Sequence, residues 1–275
     1  MGVAFAVHNA KGGVGKTTSA ANIAAMAAAL PNTDSSQRRV LLCDLDPQMN
    51  CTQQLGYEEV EPHKTLAGHV SYEADLEPLI IENAATIPGL DFLPAHYQLA
   101  FIDEGVLETG TWLRRKLGPF RSRYDLILFD CPYHLGHLTR NAFAASNGLL
   151  IPTQAEKHSV LGLPHLLARA RRIFEETEVV NPWAYILLTM VSIRYTSQRA
   201  WVEQVRKQYG DAVLRTLIRR NTDLEKSASG GMPIVAFDDK CTGYEDYLAV
   251  TTELLQLLEA DRPALRIVGT KAVNS

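Results

Sequence analysis

Two lysines and three glycines near the start of the chain form a run that could bind phosphate. Residues 11–18 read KGGVGKTT. Glycines let the backbone turn tightly, so that its N–H groups can point at phosphate oxygens. In such a loop Lys16 is placed to reach the β- and γ-phosphates of a nucleotide, and the Thr17 hydroxyl is placed to bind Mg²⁺. The predicted phosphate-binding residues are Gly12, Gly13, Val14, Gly15, Lys16, Thr17 and Thr18.

The second lysine of this run, Lys11, has no role in an ordinary phosphate-binding loop, which needs one lysine. The general pattern also has Gly where this chain has Ala10, so the loop is a variant. A glycine-rich turn without a ligand is the simplest alternative. The strand-like run at residues 3–7 and the Ala-rich helical run at residues 18–30 disfavour that alternative, because they supply the strand–loop–helix context that phosphate binding requires.

Three carboxylates follow two other apolar runs. Asp44 and Asp46 come directly after residues 40–43, and Asp130 comes after residues 126–129. Asp130 has the form of the acidic residue that holds the Mg²⁺ shell in phosphate-loop NTPases. One of the two earlier aspartates can orient the attacking water, although a helix N-cap or a loop anchor would also suit an aspartate there.

Short apolar runs alternate with longer helical patterns along the chain. Continuous apolar runs are typical of strands covered on both faces, and alternation with helices predicts a doubly wound, mostly parallel α/β sheet flanked by helices. In such sheets ligands bind beyond the carboxyl ends of the strands, where the loop and the aspartates would meet. Strands are predicted at residues 3–7, 40–43, 90–94, 126–129, 148–152 and 184–188, and helices at 18–30, 103–117, 161–176 and 198–209.

The length suits one large domain or two small ones, and the alternation of strands and helices favours a single domain, predicted over residues 1–260, with a tail at residues 261–275. The chain has 275 residues, 46% of them hydrophobic, and a net charge of −4. Its four cysteines have neither metal-ligand spacing nor the pattern of a disulfide framework, which fits a reducing cytoplasm. We find no basic region before the first apolar run and no apolar stretch of about 18 residues, so we expect neither a signal peptide nor a membrane span.

The charge is unevenly distributed. Residues 58–130 carry 13 acidic and 6 basic side chains, whereas residues 194–226 carry 8 basic and 4 acidic ones. An anionic partner other than the nucleotide should therefore meet the later segment, although a solvated surface is the alternative reading of such a run.

Taken in order, these motifs resemble those of the ParA/Soj/MinD ATPases. Residues 11–18 resemble the deviant Walker A box of that family, residues 44–50 (DLDPQMN) its second box, and residues 124–132 (YDLILFDCP) its Walker B segment. Further similar stretches lie at 151–156, 188–190 and 220–243, so the resemblance extends from Val3 to about Glu259. The chain looks most like the chromosomal Soj and plasmid ParA type without an N-terminal DNA-binding extension.

The resemblance implies roles for the site residues. Lys11 matches the signature lysine, which reaches the partner's nucleotide across an ATP-sandwich homodimer. Asp46 matches the residue that positions the attacking water, and Asp44 supports the Mg²⁺ region. The implied catalytic residues are Lys11, Lys16 and Asp46, the implied metal-site residues are Thr17, Asp44 and Asp130, and the cofactors are ATP and Mg²⁺.

The family also implies contacts near the end of the chain. Arg220 and Asn221 fall where the family contacts adenine, and Arg194 and Arg220 fall near basic positions used for non-specific binding of double-stranded DNA. The chain departs from the family at Arg219, where Pro is usual, and at Asp223, where Arg is frequent. Arg199 and Arg219 could compensate for basic residues that this chain lacks.

The resemblance predicts a cytoplasmic, nucleoid-associated ATPase, weak alone, that partitions plasmid or chromosome DNA with a ParB-like partner that stimulates hydrolysis. Positioning of a protein cargo, such as a carboxysome or a chemoreceptor cluster, through another adaptor is an alternative that the sequence does not separate from the first. A membrane-cycling regulator of the MinD kind would need a basic amphipathic helix at its end, and the tail contains Pro263 and Gly269 instead. An iron–sulfur relative would need a second cysteine near residues 89–101, where there is none.

Overall fold

The computed structural model describes residues 2–72, 75–103, 110–192, 194–260 and 265–267, and the following account concerns these. Their strands are β1 (Val3–Val7), β2 (Val40–Asp44), β3 (Leu90–Leu93), β4 (Leu126–Asp130), β5 (Gly148–Gln154), β6 (Trp183–Thr189) and β7 (Leu265–Arg266). They form one sheet in the order β3-β2-β4-β1-β5-β6-β7. Neighbouring strands from β1 to β6 pair in parallel, and β7 pairs antiparallel with β6.

Helices cover both faces of this sheet. They are α1 (Lys16–Ala29), α2 (Asn50–Gln54), α3 (Leu66–Tyr72), α4 (Leu99–Asp103), α5 (Trp112–Leu117), α6 (His137–Ala145), α7 (Lys157–Glu176), α8 (Thr196–Tyr209), α9 (Thr222–Ser229), α10 (Ile234–Phe237) and α11 (Thr242–Glu259). One apolar cluster joins the sheet to α1 and α11, and a second joins it to α5 through α8. The doubly wound, mostly parallel sheet predicted from the sequence is thus confirmed.

The first helix shows how local sequence builds this architecture. Alanine has the highest helix propensity, and α1 contains seven alanines and no run of β-branched residues after Thr18. Most of the helix is buried, because small side chains allow close packing between the sheet and α11. The helix ends at Ala29, with Leu30 as its cap and Pro31 following, and proline cannot continue a helix.

Some predicted boundaries were wrong. The helix expected over residues 103–117 is shorter than predicted, since α5 begins only at Trp112. Gly110 has a φ angle of 64°, in the left-handed region, which interrupts the helical path before Trp112. Residues 104–109 are outside the described part. The helix expected from residue 161 begins at Lys157. Strands β5 and β6 each continue to a polar residue, Gln154 and Thr189, that the apolar pattern did not include.

The predicted tail contributes to the sheet. Leu265 and Arg266 pair with Ala184 and Trp183 of β6, so β7 caps the sheet edge beyond α11. A two-residue strand carries no apolar periodicity of its own, and the sequence did not predict it. The remainder of residues 261–275 lies outside the described part. Among the described helices, none combines the length and the apolar character needed to cross a membrane.

Candidate active site

The loop between β1 and α1 has the conformation of a phosphate cradle. Gly13 and Gly15 have φ angles of 71° and 83°, in the region that side chains with a Cβ rarely adopt. The space where a Cβ of Gly13 would lie is open, so a ligand can approach this backbone closely. Gly15 also precedes the first residue of α1, so the loop places its N–H groups at a helix N-terminus, where anions are favoured.

Side chains from just after β1 and from the ends of β5 and β6 hold this loop. Asn9 donates a hydrogen bond to the Pro152 carbonyl (2.8 Å) and accepts one from the Lys11 N–H (3.0 Å). Gln154 donates to the Gly13 carbonyl (3.0 Å). The Thr189 hydroxyl donates to the Val14 carbonyl (2.8 Å). The sequence analysis assigned no role to Asn9, Gln154 or Thr189, although Gln154 and Thr189 lie in stretches that resemble the family.

Lys16 points into the loop that carries it. Its ammonium donates to the carbonyl of Lys11 (3.1 Å), and the residue is 9% exposed. Burial lowers the pKa of Lys16, while the nearby Asp130 and Asp46 act in the opposite direction. A buried cation facing a glycine-lined cradle is suited to binding phosphate oxygens, which replace the water it has lost.

Asp44 organises the segment that carries Asp46. One oxygen of the fully buried Asp44 accepts from the Asp46 N–H (3.0 Å), and the other accepts from the N–H (2.9 Å) and hydroxyl (2.7 Å) of Thr52. Asp46 in turn accepts from the Gln48 N–H (3.0 Å) and lines the same cavity as Lys16. Both oxygens of Asp44 are therefore engaged in holding this loop, which makes Asp44 a support of the metal region rather than its best-placed ligand.

Asp130 has the geometry expected of a partner for Mg²⁺. It lies opposite Asp44 on the neighbouring strand and opposite Val7 at the end of β1. Its carboxylate is fully buried, and neither oxygen has a hydrogen-bond partner of good geometry within the described part of the chain. Thr17 lies close enough to favour the charged form, but burial and the neighbouring Asp44 hold the pKa of Asp130 well above its usual range.

The electrostatics of the site call for a cation. Burial raises the pKa of Asp44 to about 7, and Asp46 acts in the same direction. Three aspartates thus converge on a site with one buried lysine, and a divalent ion would offset their repulsion. In the described residues no cluster of three or more His, Cys, Asp or Glu could enclose a metal.

Lys11 lies at the surface of the loop, in a contact within its own subunit. Its ammonium forms an ion pair with Glu156 and lies 3.2 Å from the Ser159 hydroxyl and 3.3 Å from Oε1 of Gln154. These acceptors lie at the end of β5 and the start of α7. The side chains of Lys11 and Glu156 are 36% and 45% exposed, so solvent reaches the pair. The sequence did not foresee Glu156 as the partner of Lys11.

A second cavity of about 180 Å³ adjoins the phosphate cradle. It shares Gly15, Thr18, Met190 and Ala228 with a larger cavity, which has a volume of about 510 Å³ and is lined by Lys16 and Asp46 among others. Arg220 and Asn221 line the smaller cavity, as expected for the residues assigned to the base. Asn221 also caps α9 by accepting from the Asp223 N–H (2.6 Å), which fixes its side chain.

The arginines predicted to bind DNA separate into two groups. Arg194, Arg199 and Arg220 are exposed. Arg219 instead forms hydrogen bonds and ion pairs with Asp246 and Glu245. Its charge is compensated within the protein, so Arg219 is less available to a DNA phosphate than the three exposed arginines, and its DNA contact stays a prediction.

Comparison with known proteins places this geometry in a family. A family described as AAA domain matches residues 3–181. The chain is 36% identical over 257 residues to the sporulation initiation inhibitor protein Soj of Bacillus subtilis, an alignment that covers 92% of this chain and 98% of Soj. The chain belongs to the ParA/Soj/MinD family of ATPases. It is also 34% identical to the chromosome-partitioning ATPase Soj of Treponema pallidum, over 93% of this chain and 98% of that protein.

Solved structures of the ParA/Soj/MinD fold agree with the architecture. A structure of cobyrinic acid a,c-diamide synthase from Mycobacterium smegmatis matches with a TM-score of 0.75 and 27% identity, covering 98% of this chain and 100% of the other. That structure contains bound ADP and magnesium. A protein with the same overall fold therefore holds an adenine nucleotide together with magnesium.

Proposed function

We propose that this chain is a partition ATPase that binds ATP with Mg²⁺, dimerises in that state, binds DNA without sequence preference and separates plasmid or chromosome DNA together with a ParB-like partner. The observation that carries the proposal is the placement of two lysines in one glycine-rich loop, Lys16 buried against the cradle and Lys11 at its surface. The 36% identity to a Soj protein over nearly the whole chain supports the partition role.

In the proposed mechanism the loop binds the phosphates of ATP through its N–H groups and Lys16. Asp46 holds the attacking water, because its carboxylate lies in the same cavity as Lys16 and is fixed by the Gln48 N–H. Thr17 and Asp130 would hold Mg²⁺ and its waters, and the ion would supply positive charge to the phosphate oxygens. Phosphoryl transfer needs positioning and charge more than covalent chemistry, and these residues provide both.

Lys11 would complete the site in the dimer. An exposed ammonium at the loop surface can reach outward, and the nucleotide of a second copy is the anion that the family resemblance assigns to it. The charge would then be available only when two subunits meet, so dimerisation would control hydrolysis. A ParB-like partner would act by favouring this arrangement, and hydrolysis would return the protein to the monomer.

The proposed DNA surface consists of Arg194, Arg199 and Arg220. The Arg220 N–H donates to the Val191 carbonyl (3.2 Å), which brings residue 220 next to the segment that leads to Arg194. The Arg199 N–H donates to the Tyr195 carbonyl (3.2 Å), which places Arg199 in the first turn of α8 beside the same segment. Three exposed arginines on adjoining segments suit contacts with phosphates, which give salt-dependent binding without sequence preference.

ATP-dependent binding to random-sequence duplex DNA across a salt series tests the proposal. We expect binding with ATP and Mg²⁺, little binding with ADP, and a fall in the binding constant as salt rises. Lys11→Ala should still bind ATP as a monomer but lose both the dimer and DNA binding. If the wild-type protein retains no DNA at low salt in the presence of ATP, the partition proposal is wrong.

A further inference from the structure

We infer that Asp246 acts through Arg219 as a positioning residue for the cavity proposed to hold the nucleotide base, and so contributes to the preference for adenine. The inference rests on the proposed binding of ATP. It concerns the side of the cavity formed by residues 218–221. The sequence suggested that residues of this segment contact the base, but it did not show which residues hold the segment in place.

Asp246 holds both the main chain and the side chain of Arg219. Its carboxylate accepts from the Arg219 N–H (2.8 Å), from Nε (2.9 Å) and from Nη2 (2.7 Å). Asp246 is 6% exposed, so its carboxylate is largely shielded from water, whereas the Arg219 side chain is 42% exposed. Hydrogen bonds between a guanidinium and a carboxylate are among the stronger ones in proteins, and the paired geometry fixes orientation as well as distance.

The main chain fixed in this way forms one side of the cavity. Arg219 pairs with Val191 in an isolated parallel bridge, and the Ile218 N–H donates to the Leu188 carbonyl (2.8 Å). The segment therefore lies along the end of β6. Residues 218–221 all line the cavity, so a displacement of Arg219 would also displace Arg220 and Asn221.

The residue after Asp246 supports the opposite side. Tyr247 lines the same cavity, and its hydroxyl lies 3.3 Å from the Ser19 hydroxyl on α1. Two consecutive residues of α11 thus contact two of the elements that line the cavity, the segment at residues 218–221 and the helix that follows the phosphate loop. Helix α11 sets the spacing between them.

The Arg219–Asp246 contact and the phosphate loop have separate supports. The contact holds the side of the cavity formed by residues 218–221. The phosphate loop is held separately, by Asn9, Gln154 and Thr189. Loss of the Arg219–Asp246 contact should therefore weaken binding of the base while leaving binding of the phosphates nearly unchanged.

Calorimetric titration of the full chain with Mg²⁺ and ATP, GTP or inorganic triphosphate tests this. For Asp246→Asn we expect the affinity for ATP to fall about tenfold, equivalent to about 1.4 kcal/mol, while the affinity for triphosphate stays within about twofold. The ratio of the affinity for ATP to the affinity for GTP should also become smaller. The matched control is Glu253→Gln. Glu253 is also on α11 and accepts from two backbone N–H groups, those of Arg215 and Thr216, but it lies outside the cavity.

The comparison among ligands separates positioning from general destabilisation. Equal losses for ATP and triphosphate, or an unchanged ATP affinity, would overturn the inference. If Asp246→Asn does not fold, Arg219→Gln supplies the same measurement, because it removes the guanidinium and keeps the buried carboxylate bonded to the residue 219 N–H. A wild-type chain that binds no ATP would overturn the proposed function itself, and with it this inference.

Discussion

Removing the negative charge that holds Lys11 within its own subunit should strengthen the ATP-dependent dimer. Lys11 is paired with Glu156 in this structure, and the proposed dimer needs Lys11 at the nucleotide of the other subunit. The intrasubunit pair must then open before the intersubunit contact forms. Glu156→Gln weakens the pair while keeping the shape of the side chain, so less free energy is needed to release Lys11.

The size of the effect follows from the exposure of the pair. Ion pairs between exposed side chains contribute up to about 1 kcal/mol, and the 36% and 45% exposure of these two side chains places them in that class. Each dimer would open two such pairs, one per subunit. The dimer dissociation constant should therefore fall by up to about 30-fold at low salt, and by less as salt screens the pair.

Sedimentation velocity with a non-hydrolysable ATP analogue measures this change directly. Glu175→Gln is the matched control, because Glu175 also forms an exposed ion pair on α7, with Arg171, far along the helix from the loop. An unchanged or weaker dimer in Glu156→Gln, at low salt and with the control unchanged, would refute the idea that Glu156 competes with the dimer for Lys11.

Three further predictions concern the site and the surface. Lys16→Ala should abolish nucleotide binding in calorimetry, because among the described residues Lys16 is the one lysine buried in the cradle; retained ATP affinity would contradict the role of Lys16. The pKa of Asp44 is raised to about 7, so as the pH rises from 4 to 7 the folded state keeps a proton that the unfolded chain releases. The free energy of unfolding of the nucleotide-free protein, measured in urea relative to that of Asp44→Asn, should therefore fall as the pH rises; the comparison cancels the opposite contributions of His8 and His69, whose pKa values burial lowers, and a difference that rises would contradict this. Arg199→Ala should reduce by about 1 the slope of the logarithm of the DNA-binding constant against the logarithm of salt concentration. Arg219→Ala should leave this slope unchanged, because Asp246 and Glu245 already compensate the charge of Arg219. Equal slopes for the two variants would refute the assignment of Arg199, rather than Arg219, to the DNA surface.

Much of the phosphate site was predictable because its information is local. Glycines at fixed spacing from Lys16 specify the loop, and an apolar run followed by an aspartate marks the end of a buried strand, as at Asp44 and Asp130. The parallel sheet then brings these ends together, and β1, β2 and β4 are indeed neighbours. The fold class followed from the same runs, because uninterrupted apolar strands must be covered on both faces.

The supports of the site were not predictable in this way. Gln154 and Gly13 are 141 residues apart, Lys11 and Glu156 are 145 apart, and Arg219 and Asp246 are 27 apart. Nothing in the local sequence distinguishes a glutamate that pairs with Lys11 from one that faces solvent. Arg219 is an example: its residue type suggested a contact with DNA, but Asp246 and Glu245, which lie beside it in the fold, compensate its charge.

By itself the sequence determined which chemistry this chain can perform. Phosphate binding depends on residue types at short, fixed spacings, and the backbone of a single loop arranges these residues around the phosphate. Only the tertiary structure decided which charges are free to act. Lys16 is buried facing phosphate, Lys11 is held by Glu156, and the Asp130 oxygens lack partners in the described chain. The physical reason is that the ionisation and availability of a side chain depend on burial and on nearby charges, which the folded chain brings together from distant positions.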